Sequence, residues 1–499
     1  MLNYDLINQA PFLTAAGFDF GDGVGAYEGA SHSRIEDVSD FGPEEAISAD
    51  LDSLRPRSRH YVRNNAWAKN AVQQWVSAAV GTGITARWST GDKNVNLLFE
   101  ELWSEFIQEC DFDEKLDFAG IQALVMGTVV NSGDCYVRRR VRPLEEDLAV
   151  PLQLQVIEPD FLAREKNEVL PSGGYIKNGK QYSKGGKLKY YHFHKYHPNE
   201  SISFHDPEGT VKIRANDIIH VMKVERPGQS TGIPWVSSVL LRLSELDAYE
   251  DAELVRKKTA ALFAAFIKEA QPTTNPMTPG VSIKTPNKTG KRSPLVQLKP
   301  GLMQRLGVGQ EMQFSQPADV GTTYEPWLRF QLMAIAKGYG LSYEMLSGDL
   351  RGVSYSSIRA GLIDFRRLCE QVQHFMLKYQ LCRKVSHWFC DIAFHANRLS
   401  VSDYELNRRK YRKIKWVMPR WDEVDPLKKL LADKGEVRSG FAPIKDKQQQ
   451  RGHEQEDILE NAGFFEVARK QGLSLDTDGS VTNNNGTEQR AMLEIANSE

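Results

Sequence analysis

The sequence predicts an α+β protein that is mostly helical, with unusually long helices and one β-rich portion. Two observations predict the helices: apolar residues recur at helical spacing over long stretches, and polar residues cover the opposite faces. A third observation predicts the strands, because short runs rich in Val, Ile, Tyr and Phe are bounded there by Gly, Pro and Asn. Together the two kinds of element indicate an α+β fold.

The chain has 499 residues, enough for about two to four packed modules. Lys and Arg number 63 against 65 Asp and Glu, which leaves a net charge of −2. Because affinity for DNA comes largely from phosphate neutralisation, this balance argues against a conventional DNA-binding domain. An odd number of cysteines without a CxxC pair, and no recognisable signal peptide or membrane span, predict a protein made and assembled in the cytosol.

The sequence of the N-terminal part predicts a flexible arm followed by three helices. Residues 1–50 are rich in Gly, Asp, Ser and Ala, and we expect a flexible arm there. A helical pattern starts at Arg55 and stops at Gly81 and Gly83. Two further helices are expected near residues 94–109 and 118–132.

Strands and then a long helix follow. The predicted strands are "DCYVRRRV" (134–141), "PLQLQVIEPDFL" (151–162), "KLKYYHFHKY" (187–196) and "DIIHVMKV" (217–224). Apolar residues then recur from Val236, and an unbroken helix to Lys268 would be about 50 Å long at 1.5 Å per residue. Such a helix far exceeds the usual length and indicates an elongated part.

The second half of the chain begins with residues 271–294, whose Pro, Thr, Asn and Lys predict an extended or flexible segment. The elements expected after it are strand-like segments at 296–306 and 310–314, a helix at 324–340, a Gly- and Ser-rich loop at 341–357, a long helix at about 356–395, and charged helical stretches between about 425 and 470.

The sequence contains no motif for nucleotide hydrolysis and no zinc-protease motif. The three Gly-Lys pairs are followed by Gln181, Leu188 and Arg292, so none completes a phosphate-binding GxxxxGK[ST] loop. HExxH does not occur, and GxSxG occurs once, at residues 228–232, a match too short to predict a hydrolase by itself. The sequence therefore predicts no enzyme, no catalytic residues and no cofactor.

Two clusters have both a functional and an ordinary interpretation. His192, His194, His197 and His205 are a zinc candidate, because alternate residues of a strand share one face. No cysteine or close carboxylate completes the set, so we expect an exposed strand and no metal. The basic run at 408–416 fits a solvated helix face or a strand edge better than a nucleic-acid contact.

Several segments in order resemble the lambda family of phage portal proteins. They cover most of residues 55–460: 58–84, 133–140, 154–162, 217–240, 246–267, 338–367 and 421–446. The resemblance implies a ring, typically a dodecamer, with a mostly helical portal fold of long stem and wing helices, a β-rich wing portion and a small α/β clip. The parts it implies are the wing (51–235), stem helix (236–270), clip (271–325), second stem helix (326–340), tunnel loop (341–357), wing helix and return (358–425), crown (426–475) and C-terminal tail (476–499).

This family resemblance also implies a function. The ring would be a channel at one capsid vertex through which double-stranded DNA is packaged and ejected. Its implied partners are further copies of itself, the DNA, the terminase large subunit, a head–tail connector or adaptor protein, and the major capsid or scaffolding protein, with no membrane. The implied location is the virion, after assembly in the host cytoplasm.

Two other classes of protein remain as alternatives. A DNA-packaging or processing enzyme, such as a nuclease or motor subunit, would need a phosphate loop or carboxylates that bind Mg²⁺. A head–tail adaptor would usually be much shorter. The near-neutral charge favours the channel, because a strongly basic lining would hold back the sliding DNA.

The tunnel loop is the predicted DNA-facing site, with Gly348 and Gly352 permitting unusual backbone angles. Its candidate residues are Ser347, Asp349, Arg351, Ser354 and Tyr355. We expect Arg351 nearest the DNA, where its copies would form one thin cationic band. The ordinary alternative is a simple connection between two helices.

Overall fold

The computed structural model is α+β, with most described residues in helices and the rest of the regular structure in small antiparallel sheets. It describes residues 41–200, 209–262, 266–269, 310–313, 324–419, 421, 426–441, 447, 463–464, 466–468 and 470–471. The predicted fold class is confirmed. Residues 1–40, the segments 270–309 and 314–323, and the tail 476–499 lie outside the described residues, as does most of the predicted clip.

The first helix, α1 (Pro43–Asn64), begins inside the predicted arm. Its start has Pro43 in the first turn, followed by two acidic residues that favour the positive end of the helix dipole. Ile47 and Leu51 are buried, so this part of the chain belongs to the fold. The predicted arm boundary at residue 50 and helix start at Arg55 were therefore wrong for residues 43–54.

Three helices and two strands complete this half of the core. They are α2 (Ala66–Ala79), β1 (Thr85–Trp88), α3 (Lys93–Glu109), α4 (Phe118–Ser132) and β2 (Asp134–Val141). The side chains of Asn65, Asp92 and Asp117 cap the three helices by accepting backbone N–H groups. The predicted helices at 94–109 and 118–132 are confirmed.

The β-rich portion consists of two antiparallel sheets. In the smaller one β2 lies between β3 (Leu152–Ile157) and β9 (Ile218–Met222). The larger one has the order β4 (Glu168–Val169), β5 (Tyr175–Lys177), β6 (Lys180–Tyr182), β7 (Leu188–His194), β8 (Thr210–Arg214). Each of the four predicted strand segments contains a strand.

The helix predicted at 236–268 is shorter than expected. A 3₁₀ turn precedes α5 (Leu240–Leu262), and the chain then forms β10 (Phe266–Glu269), which pairs with β11 (Gln310–Gln313). The prediction of an unbroken helix to Lys268 was wrong, because an antiparallel partner distant in the sequence satisfies the backbone of residues 266–269. At 23 residues, α5 is about 35 Å long.

The next helices surround the predicted loop and lead into the longest helix. They are α6 (Tyr324–Tyr339), α7 (Tyr343–Ser347) and α8 (Tyr355–Val372), which continues through a π-helix (Gln373–Cys382) into α9 (Arg383–His395). The predicted helix at 356–395 is confirmed. Its ten-residue π segment was not foreseen, and π turns are concentrated at functional sites.

The remaining described elements are α10 (Arg408–Tyr411), β12 (Ile414–Val417) and α11 (Pro426–Arg438). β12 pairs with β1, so the basic run at 408–416 is a short helix followed by a strand. This arrangement agrees with the structural interpretation of that run. Among the described residues no helix is long and apolar enough to cross a membrane.

The main core is aromatic and lies where α3, α4 and α9 meet. Trp103 contacts Phe389 with ring centroids 4.9 Å apart, and Phe106 contacts Phe389 at 5.2 Å. All five cysteines are free and buried, and they act as small core residues. A second, smaller core around Tyr136, Tyr191 and Phe193 joins the two sheets.

Candidate functional site

The predicted tunnel loop connects α6 to α8 and is more ordered than a simple loop. Helix α7 lies within it, and Gly348 ends this helix with φ +70°. Gly352 also has a positive φ, +71°, before α8 starts. Both glycines therefore adopt the backbone conformation that their sequence pattern predicted.

Two carboxylates bind Arg351 within this site. Its guanidinium donates Nε and Nη2 to the two oxygens of Asp349, at 2.9 and 3.0 Å. Its Nη2 also lies 2.8 Å from Glu325 Oε1 at the start of α6. Hydrogen bonds from Arg351 hold the pKa of Asp349 well below its usual range. The Arg351 side chain nevertheless remains 74% exposed.

This pairing corrects the expected electrostatics of the loop. One cation lies with two carboxylates, so the cluster of Glu325, Asp349 and Arg351 has an excess of negative charge. Arg351 is therefore not an isolated cation, and its copies in a ring would not form a purely cationic band. The prediction missed Glu325, which is 26 positions away in the sequence and adjacent only in the fold.

The other predicted site residues shape the loop. Ser347 Oγ donates to the Tyr343 carbonyl at 2.8 Å and accepts the backbone N–H of Asp349 at 3.1 Å. Ser354 caps α8 by accepting the backbone N–H of Ser357 at 3.2 Å. Tyr355 is the first residue of α8. The two serines therefore fix where α7 ends and α8 begins.

Helix α6 lies beside this loop, and it packs against α5 through aromatic rings. Tyr249 contacts Trp327 with centroids 4.3 Å apart, and Arg242 donates to Gln331 at 2.9 Å. Several large apolar residues of the two helices remain exposed: Leu241, Leu254, Val255, Phe330 and Met333. One chain alone therefore leaves much of this apolar surface uncovered.

A network of buried charges lies at the junction of α1 and β2. Arg55 Nη2 donates to Asp134 Oδ1 at 2.5 Å and its Nε to the Ser132 carbonyl at 2.9 Å. His220 Nε2 is 3.1 Å from Asp134 Oδ2. Burial alone would raise the pKa of Asp134, but Arg55 and His220 outweigh it and hold that pKa well below its usual range.

The network extends to the large sheet through Glu44 and Lys180. Glu44 accepts the Thr231 hydroxyl at 2.6 Å, and Lys180 donates to the same hydroxyl oxygen at 2.8 Å. Burial opposes ionisation of Glu44, yet Lys180 and the hydrogen bonds lower its pKa to about 2. Burial lowers the pKa of Lys180 to about 8. Each charge has an opposite partner, which is typical of a structural network.

The histidines predicted as one cluster contact different partners. His192 Nε2 lies 3.3 Å from Gln181 Oε1, and His194 Nε2 lies 3.4 Å from Glu165. Burial lowers the pKa of His192 to about 4. His205 lies outside the described residues. The structure does not bring His192 and His194 together with His197 as one ligand set.

His197 instead lies with Glu158 and Asp160, with ligand atoms within 4.8 Å of one another. The backbone N–H of Asn199 donates to His197 Nδ1 at 3.2 Å, so the ring proton of the neutral histidine is on Nε2. That nitrogen faces Glu158 Oε2 at 3.2 Å, and Asp160 pairs with Arg59. Hydrogen bonds and an ion pair therefore account for the arrangement of these three side chains.

Comparison with known proteins identifies the family to which this chain belongs. The family model described as "Phage portal protein, lambda family" matches residues 32–373. The chain therefore belongs to the lambda family of phage portal proteins, and the resemblance noted in the sequence is confirmed. One relative is the "Probable portal protein" of Halomonas phage phiHAP-1, 24% identical over 425 residues, which cover 83% of this chain and 80% of the relative.

Solved structures similar to the chain include proteins of gene transfer agent (GTA) particles. The neck of an empty GTA particle, computed with C6 symmetry, has a TM-score of 0.45 and 14% identity, covering 83% of this chain and 99% of that one. The neck of a native particle, computed with C12 symmetry, has a TM-score of 0.45 and 13% identity, and the match covers 81% of this chain and 93% of that one.

Proposed function

We propose that this protein forms a ring-shaped channel at one capsid vertex, through which double-stranded DNA is packaged and ejected. The observation that carries the proposal is membership of the portal family over residues 32–373. The uncovered apolar residues of α5 and α6 support it, because a ring would bury them between neighbouring copies. Within the ring, α5 and α6 would be the stem and the loop between α6 and α8 would border the channel.

The remaining parts follow the same proposal. Residues 51–235 and the long helix at 355–395 would form the wing, the β10–β11 pair the base of the clip, and α11 part of the crown. The ring would dock the terminase large subunit, a head–tail connector and the major capsid or scaffolding protein. It would occupy the virion after assembly in the host cytoplasm.

Ring assembly is the first expected result. The purified chain should form closed rings of about twelve copies, because identical surfaces related by rotation bury the α5 and α6 faces. Native mass spectrometry or negative-stain microscopy measures this directly. Phe330→Asp should prevent the rings, whereas Val169→Asp, on the large sheet, should not. A stable monomer under all assembly conditions would contradict the proposal.

The family is structural, and we expect the ring to lack catalytic activity of its own. Because no GxxxxGK[ST] loop is present, the purified ring should neither hydrolyse ATP nor cleave DNA in the presence of Mg²⁺. A separate motor would supply the energy for packaging. Phosphate release and DNA integrity assays test both points. An activity that co-purifies with the ring and disappears when one carboxylate of this chain is replaced would favour the packaging enzyme instead.

The tunnel loop gives a third expected result. Arg351→Ala removes the cation that joins Glu325 to Asp349 and leaves two carboxylates near the DNA path. We expect intact rings but reduced packaging or retention of DNA, with a stronger defect at low salt, where repulsion of phosphates is less screened. Genome content per particle measures the effect. The control is Lys189→Ala on β7, and packaging equal to the parent at both salt levels would remove Arg351 from this role.

A further inference from the structure

An apolar groove of about 780 Å³ lies beside the loop that joins β9 to the 3₁₀ turn before α5. Its walls come from α2, the end of α6 and the π-helix, and its aromatic and apolar lining includes Trp75, Trp235, Tyr339, Phe375, Met376 and Tyr379. Phe375 is 63% exposed and Tyr379 is 57% exposed. Exposed aromatic residues that line a groove indicate a binding surface.

One side-chain amide fixes a wall of the groove, and two of the residues that line it have unpaired polar atoms. Gln380 pairs with the backbone of Met222 through both ends of its amide, accepting at 2.9 Å and donating at 3.0 Å, which fixes the π-helix against β9. Two lining residues carry buried polar atoms, Trp235 Nε1 and Tyr339 OH, that have no hydrogen-bond partner among the described residues. Both atoms are closed off from solvent, so these two residues present mainly apolar ring surface to the groove.

Positive charge predominates around this groove. Its wall contains Lys223 and Lys337 and one acidic residue, Glu225, which lies 2.7 Å from the Lys223 ammonium. Tyr379 is shared with an adjoining cleft of about 210 Å³, whose lining includes Lys378, Arg383 and Arg412. The preferred occupant is therefore an acidic segment that also carries aromatic or aliphatic side chains.

Residues 1–40 of the same chain have this composition. They contain seven Asp or Glu residues and one Arg, and their apolar residues include Phe18 and Phe20 within "GFDFGDG". The described chain begins next to the groove: Arg226 Nη2 donates to the Phe41 carbonyl at 3.5 Å, and the preceding residue, Glu225, lines the groove.

We propose that residues 1–40 dock in this groove of their own copy, with Phe18 and Phe20 in the apolar part and the neighbouring aspartates towards the lysines and arginines. The connection from Phe20 to Phe41 can span at most about 70 Å when extended, which is enough to reach every part of the groove. Attachment to the same chain raises the effective concentration of the segment at the groove, so it competes well with segments of other copies. Docking would fasten the end of α6 to the π-helix.

Photo-crosslinking of the full chain tests the proposal. With p-benzoylphenylalanine in place of Phe375, irradiation and peptide mass spectrometry should find crosslinks to residues 1–40. Mixing isotope-labelled and unlabelled copies before assembly shows whether both crosslinked peptides come from one copy. Crosslinks only between copies, to another segment, to another protein or to DNA would overturn the proposal.

Proteolysis provides a readout that does not depend on the crosslinker. Phe375→Ala/Tyr379→Ala should speed cleavage by an Asp-specific protease at Asp19 and Asp22 by at least about fivefold, because docking of Phe18 and Phe20 protects these bonds. Both replaced side chains are more than half exposed, so the fold should persist, which circular dichroism checks. The control is Leu406→Ala at a residue 89% exposed, and equal cleavage rates in all three proteins would overturn the proposal.

Discussion

Asp134→Ala is expected to lower the free energy of unfolding by about 3–5 kcal/mol, because it leaves Arg55 buried without its counter-charge. Asp134 is fully buried, and Arg55, His220 and the Gly232 backbone N–H all bond to it. Denaturant unfolding followed by tryptophan fluorescence measures the loss. The matched control is Asp52→Ala, which also removes an aspartate paired with an arginine, but one that is 85% exposed, and its effect should be much smaller.

The stability difference between the parent and Asp134→Ala should decrease in acid. Because the folded state holds the pKa of Asp134 well below its usual value, the ionised carboxylate stabilises the fold at pH values above its unfolded pKa of about 4. The stability gap between parent and variant should be full at neutral pH and shrink as pH falls below that value. A gap that stays constant in acid, or a variant as stable as the parent at pH 7, would contradict the assigned role.

Gly133→Ala is expected to lower the free energy of unfolding by more than an ordinary loop substitution does. A Cβ at Gly133 would lie 2.5 Å from the carbonyl carbon and oxygen of Gly232, and the residue has φ +93°. The backbone conformation costs a residue with a Cβ about 1–2 kcal/mol, and the overpacking adds about 1–3 kcal/mol. The chain offers a matched control in Gly91, which has the same φ of +93° but open space around its Cβ position.

The comparison of the two alanine variants separates steric contact from backbone conformation. Gly91→Ala should lose only the conformational part, so the difference between the variants measures the contact between residues 133 and 232. Equal losses of stability in the two variants would show that the two backbones can move apart at little cost. Thermal and denaturant unfolding of each variant provide the measurement.

Local signals determined which elements the sequence predicted well. Helix α4 and strand β2 lie where expected, because Asp117 caps the helix and Gly133 ends it, and both signals are read from neighbouring residues. Helix α5 ends early because β10 pairs with β11 more than 40 residues later, and such a pairing has no local signal. The π-helix also has no sequence signature in its apolar pattern.

In the candidate site too, features with a local sequence signal were predicted and contacts distant in the sequence were not. Glycine positions predicted the turns at Gly348 and Gly352, since a positive φ has a direct signature in residue type. The charge of the loop was predicted less well, because Glu325 approaches Arg351 from the other end of α6. The buried network of Asp134, Arg55 and Lys180 was missed for the same reason.

The five buried cysteines have a practical consequence for single-molecule work on the channel. Burial raises the pKa of Cys369 and Cys390 to about 12 and that of the other three higher still, so almost no reactive thiolate is present at neutral pH. A maleimide dye should therefore label a cysteine introduced at an exposed position such as Leu406 selectively. The native thiols can stay in place, and the aromatic core that they help to fill is left intact.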